Sequence, residues 1–175
     1  MESLEKALND IFVKKGPKLP DEAKKAIVQY LPWINVLLGV VTLWGALALW
    51  HWAHAVNTII NQVNSLNRLY GVNTPSPVIA RMSAGIWLGL VVLVIQALLY
   101  LAAFPGTRDH KKAGWNLLFY AALVNVLYAI IIFFTDYGGF SSLIGSLIGS
   151  VIGLYFLFQI RSAYLGKKST DSPKA

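Results

Sequence analysis

The chain contains no cysteine. Disulfides, thiolate metal sites and cysteine nucleophiles are therefore excluded, and the redox compartment leaves no mark on the sequence. Charge is also scarce. Asp, Glu, Lys and Arg make up 13% of the 175 residues, about half their share in a soluble domain. No ionisable residue falls near the middle of a long apolar run. Carboxylates at that depth mark proton-coupled transport, so their absence argues against it. There is no phosphate-binding glycine loop, no nucleophile elbow, no HExxH pair and no paired carboxylates within an apolar segment. Nothing in the sequence supports an enzyme, and no cofactor is expected. The first thirty residues lack the short apolar core and small-residue cleavage site of a secretory signal peptide.

What the chain has is apolar length. Hydrophobic residues make up 56% of it, the mean hydropathy is +0.56, and the apolar residues come in blocks. This is the pattern of a membrane protein. Four blocks exceed the roughly 20 residues needed to cross the hydrocarbon: 32–54, 77–103, 113–135 and 140–162. The expected fold is all-α, a four-helix transmembrane bundle flanked by amphipathic helices in the N-terminal arm and the first loop. The chain then divides into an arm (1–31), the four-helix domain (32–162) and a basic tail (163–175). Pro32 suits the first turn of a helix, where no N–H partner is lost. Pro105-Gly106 reads as the stop of the second span, and Asp136-Tyr137-Gly138-Gly139 as a tight turn between the third and fourth.

The net charge of +7 would point to nucleic acid in a soluble protein. In a membrane protein the positive-inside rule accounts for it, and no nucleic-acid partner is expected. Thirteen of the fifteen Lys and Arg residues fall before the first span, between the second and third, or after the fourth; only Arg68 and Arg81 lie on the other side. Both termini are therefore expected in the cytoplasm. Trp33 and Trp115 at the inner ends, and Trp50 and Trp52 at the outer end of the first span, read as interfacial anchors.

The most regular feature lies in the fourth span. Residues 142–153 repeat a Ser-Leu/Val-Ile-Gly tetrapeptide three times. Gly145, Gly149 and Gly153 share one helix face, with Ser142, Ser146 and Ser150 on a neighbouring stripe. Small residues let helix backbones approach closely in lipid. The face can pack inside the bundle, form a homo-oligomer interface, or line a small pore with its serines.

Polar residues inside the spans suggest two further constellations. Asn35, Gln96, Asn116 and Gln159 come from all four spans and fall in their inner halves, with Asn125 nearer the middle. They read as interhelical glue, worth about 0.6 kcal/mol per hydrogen bond, or as a polar path from the cytoplasm. His51 and His54, three apart, share a face; with Asp136 on the same side they make a weak candidate for metal, or the histidines for haem. Interfacial packing beside Trp50 and Trp52 is the plainer reading. Asp136 is otherwise a candidate ion-pair partner for Arg68 or Arg81.

Outside the spans, Leu4, Leu8, Ile11 and Phe12 align on one face of the arm, which breaks at Gly16-Pro17-Lys18-Leu19-Pro20. Asp21-Glu22 opens a second short helix with Ala23, Ala26, Ile27 and Tyr30 on its apolar side. The arm is expected to cap the bundle, to lie on anionic lipid, where each lysine is worth about 1 kcal/mol, or to dock a membrane or cytoplasmic protein. Val56, Ile59, Ile60, Val63, Leu66 and Tyr70 recur at helical spacing beyond the first span, with Asn57, Asn61, Asn64 and Asn67 on another side. The first helix either continues to Tyr70 or bends into an interfacial helix.

Two stretches carry a resemblance: Asp10-Ile-Phe-Val-Lys-Lys leading to Leu31-Pro-Trp, and Phe104-Pro-Gly-Thr-Arg-Asp-His-Lys-Lys-Ala-Gly-Trp-Asn-Leu-Leu-Phe-Tyr120 followed by Phe134-Thr-Asp-Tyr-Gly-Gly139. The chain resembles a group of small four-span inner-membrane proteins of reduced-genome bacteria that has no assigned activity. The resemblance implies a bacterial inner membrane. Taken together, the expectation is a non-catalytic structural or interaction protein that self-associates through its fourth helix. A small oligomeric channel or transporter, and a metal- or haem-binding protein, are the alternatives.

Overall fold

The computed structural model describes residues 2–71, 77–134 and 140–165, with the side chains of 2, 77–83 and 140–143 outside that description. Every element among them is helical: α1 (Glu2–Asn9), a π-helix (Asp10–Lys15), α2 (Asp21–Leu69), α3 (Pro77–Arg108), α4 (Lys112–Phe133), α5 (Phe140–Gln159) and α6 (Arg161–Tyr164). Three segments are long and apolar enough to cross a membrane: α2, Ala84–Arg108 of α3, and α4. The chain is thus a helical membrane protein. α5 is apolar too, with 20 residues.

α2 differs from the sequence expectation at its N-terminal end and takes the continuous alternative at its C-terminal end. It runs unbroken for 49 residues, about 73 Å at 1.5 Å per residue, so the short helix at Asp21, the first span and the first-loop helix are one rod. Pro32 lies buried inside it rather than at its first turn. Beyond the apolar core of α2, Ile59, Val63 and Leu66 are exposed while Asn57, Ile60, Asn64 and Asn67 are half-buried. Asn57, Asn64 and Asn67 therefore share the inward side with Ile60 while Asn61 is exposed, against the two-sided pattern read from spacing.

α3 likewise passes through Pro105-Gly106, which does not stop it. Proline removes one donor and crowds the carbonyl four residues back, yet the helix holds because the next turn is satisfied. Asp109 N–H donates to the Pro105 carbonyl at 3.0 Å and Lys111 N–H to that of Gly106 at 2.8 Å. The α3–α4 connection then packs backbone on backbone. A Cβ on Gly114 would stand 2.3 Å from the Thr107 nitrogen, and one on Gly106 would stand 2.6 Å from the Gly114 nitrogen. No larger residue fits either place without moving the chain.

The helices pack in chain order, α2 on α3, α3 on α4, α4 on α5. The α2 seam is built from Pro32, Gly39, Ala46 and Ala53, all buried and seven residues apart. That period keeps one stripe facing a partner helix, and small side chains let α3 come close. A Cβ on Gly39 would lie 2.7 Å from the Leu101 side chain. The main apolar core sits at the end of the molecule where the arm returns. Trp115, Phe119, Leu154, Phe158, Ile160 and Tyr164 form it, with Leu8, Phe12 and Val13 of the arm packed against it.

Candidate functional site

The polar residues of the spans concentrate at that same end, as separate pairs rather than one line. Asn35 of α2 is buried and its Nδ2 donates to Thr107 Oγ1 on α3 at 3.1 Å. Thr107 in turn donates to the carbonyls of Ala103 (2.9 Å) and Phe104 (3.0 Å). Thr107 was invisible as a partner in the sequence because Pro105-Gly106 appeared to end the helix before it.

Gln159 has a different task. Its Nε2 donates to the carbonyls of Phe12 (2.8 Å) and Pro17 (3.1 Å), while its Oε1 accepts from Leu19 N–H at 3.5 Å. Tyr155 donates to the Pro17 carbonyl at 2.8 Å. Arg161 pairs with Glu5, its Nε at 3.0 Å, and lies over the Trp115 ring. These contacts hold the arm across the ends of α5 and α6, so the arm caps the bundle. Asn125 Nδ2 donates to Ser150 Oγ at 3.2 Å, tying α4 to α5. Gln96 and Asn116 are half-buried and form no hydrogen bond among the described residues. The four candidates for a polar path are thus not brought together.

Trp115 is a core residue and not an interfacial anchor, being 1% exposed. α5 ends at Gln159, which leaves its last carbonyls without helical donors. Trp115 Nε1 donates to one of them, that of Leu157, at 2.9 Å. Trp33, by contrast, is 67% exposed. Around this end the surface charges are ordered locally. The Lys14 and Lys111 ammonium groups, each hydrogen-bonded at 2.8 Å to its partner, hold the Asp10 and Asp109 carboxyls below the usual carboxylate range. Burial pushes the Tyr164 hydroxyl up to about 12.

α5 turns only one side to the rest of the molecule. Ser150, Leu154 and Leu157 are buried against it, and Ser146 is half-buried. A Cβ on Gly145, Gly149 or Gly153 would meet nothing within 4 Å, so the glycine stripe is not packed within the chain. Ile144, Ile148, Val151 and Ile152 beside it are exposed. Ser142 contributes a backbone position only, its side chain being outside the described residues. Between α2 and α5 lies a cleft of about 240 Å³ that Gly149 and Gly153 line.

Further along α2, His51 and His54 are both exposed. His54 stands edge-on to Trp50 at 4.6 Å, and Trp50 edge-on to Trp87 at 5.3 Å. Asp136 and the expected turn around it lie outside the described residues, as does the tail from 166. Among the described residues, no three His, Asp or Glu side chains come together as a metal site would require. No protein family, curated protein or solved structure matches this chain.

Proposed function

We propose that this chain is a non-catalytic protein of the bacterial inner membrane that crosses the bilayer four times, keeps both termini in the cytoplasm, and self-associates through the outer face of α5. The observation that carries the reading is the open outer face of α5, where a Cβ on Gly145 would meet nothing within 4 Å and Ile148 and Ile152 stand exposed beside it. In lipid, where apolar contact alone brings little gain, a strip of missing side chains is what permits close helix association. In a dimer with a twofold axis beside this strip, the same patch would serve both partners. The fourth crossing is α5 itself, about 30 Å long at 1.5 Å per residue. The asymmetry of Lys and Arg supports the orientation, and the lysines of the arm then face anionic lipid.

The native absence of cysteine makes the test clean. A single cysteine at Ile148, oxidised in native membranes, is expected to give a covalent dimer on a non-reducing gel, while one at Leu127, exposed on α4, stays monomeric. Equal dimer from both positions, or none from Ile148, would refute assembly through α5.

A further inference from the structure

We propose that the cleft between α2 and α5 binds one anionic phospholipid, its phosphate among basic side chains at the cleft's end and an acyl chain lying between the two helices. The proposal rests on the membrane-crossing reading above.

The packing order leaves the bundle open on one side, because α5 packs on α4 and the arm but does not close onto α2. The resulting groove is walled by Leu31, Ile34 and Leu38 of α2 and by Gly149, Gly153 and Phe156 of α5. The glycine stripe winds by about 40° per four residues. Gly145 therefore stays on the outer face while Gly149 and Gly153 turn into the groove and deepen it. A second cavity of about 420 Å³ lies beside this end of the groove, with buried Ile160 in the wall of both. Lys24, Lys25, Arg108 and His110 line that cavity, together with Trp33.

The two chambers differ in chemistry as the two halves of a lipid do. Lys25 and Arg108 form no ion pair within 4 Å among the described residues, and Lys24 has only Asp21 at 3.4 Å. Two cations of this cavity, Lys25 and Arg108, thus have no carboxylate within 4 Å among the described residues; they can take an anion, and a guanidinium offers a phosphate paired donors. Exposed Trp33 beside Phe104 (5.9 Å) sets the headgroup level, where amphipathic rings settle. A free phosphate would leave the apolar groove empty. The helix of a second copy would fill the groove but leave the cations unmatched. A phospholipid satisfies both.

The test is native mass spectrometry of the delipidated full chain in mild detergent, titrated with phosphatidylglycerol or phosphatidylcholine of the same acyl chains. One phosphatidylglycerol per chain should survive activation that strips phosphatidylcholine. Lys25→Gln and Arg108→Gln alter exposed side chains and leave the fold intact. Each should weaken phosphatidylglycerol about fivefold without changing phosphatidylcholine, whereas Lys14→Gln should change neither. Gly153→Phe should reduce both lipids. Equal retention of the two lipids, or equal losses from Lys14→Gln and Arg108→Gln, would overturn the site. So would a Gly153→Phe variant that loses a dimer and keeps its lipid, since the groove would then belong to a second copy. A chain that stays soluble without detergent would instead overturn the crossing reading, and the site with it.

Discussion

Tyr164 carries a buried hydroxyl with no hydrogen-bond partner among the described residues, stacked against His110 at 5.8 Å. Such a group costs about 1–3 kcal/mol. Tyr164→Phe keeps the ring and should raise stability by about 1 kcal/mol, read as a higher unfolding temperature in detergent. The pH dependence follows with a definite sign. The folded-state pKa is raised to about 12, against about 10 for an unfolded tyrosine. Between these values the unfolded state has lost the proton and the folded state keeps it. The contribution is therefore complete below pH 10 and falls as pH rises toward 12, by roughly 2–3 kcal/mol. Comparing unfolding temperatures at pH 8 and pH 11 should show a larger drop for the native protein than for Tyr164→Phe.

The Asn35–Thr107 pair is the opposite case, a buried polar contact that is satisfied. Thr107→Val keeps the shape, strands the Asn35 amide, and should cost about 1–2 kcal/mol. Adding Asn35→Leu should recover part of that loss, because removing both partners leaves nothing unpaired. A double-mutant cycle with strictly additive losses would show that the bond does not couple α2 to α3. Neither pair was legible from the sequence. Asn35 was visible as a polar residue in an apolar block, but its partner lies beyond a proline that reads as a helix end. Trp115 likewise read as an anchor from its place at a span end; only the return of α5 and the arm buries it.

At the scale of elements, the apolar blocks correctly announced long helices, and Gly16-Pro17 correctly announced the break between the arm and α2. The proline rules failed inside the bundle. Pro32 and Pro105 each remove one helical hydrogen bond, but each sits in a helix held along its length by a neighbour, so the local penalty does not decide the boundary. The glycines divide by role. The conspicuous repeat in α5 is open, while the glycines that pack closest, Gly39, Gly106 and Gly114, carry no repeat of their own. The signal that was present is the seven-residue spacing of Pro32, Gly39, Ala46 and Ala53, weaker to the eye than a tetrapeptide repeat. Graded substitution separates these roles. Gly114→Ala drives a Cβ into backbone and should destabilise by about 3 kcal/mol or more. Gly39→Ala meets the Leu101 side chain at Cγ and Cδ2, which can shift more readily than backbone, and should cost about 1–2 kcal/mol. Gly45→Ala, with open space around it, should be neutral or slightly stabilising. Thermal unfolding of the three variants should rank them in that order.

For the whole molecule, one end gathers the arm, the α3–α4 turn and the end of α5, joined through Gln159 and Arg161, and carries most of the charge. The other end is marked by Arg68 and the asparagines of α2. The reading of both termini as cytoplasmic predicts that a cysteine placed at Asn61 reacts with a membrane-impermeant maleimide in intact spheroplasts, while one at His110 reacts only after lysis. This orientation rests on the distribution of Lys and Arg in the sequence. The open side of the bundle was not readable, because it depends on α5 failing to return to α2, which no local pattern encodes.

The central claim is that the outer face of α5 joins copies of this chain. Its most direct test is the mass of the assembly in nanodiscs, by native mass spectrometry, for the native protein and for Gly145→Leu, a change that leaves the α2–α5 groove untouched. The account predicts a defined oligomer for the native protein and a monomer of unchanged thermal stability for the variant. A native protein that is monomeric at every concentration, or a variant that keeps the oligomer, would contradict it.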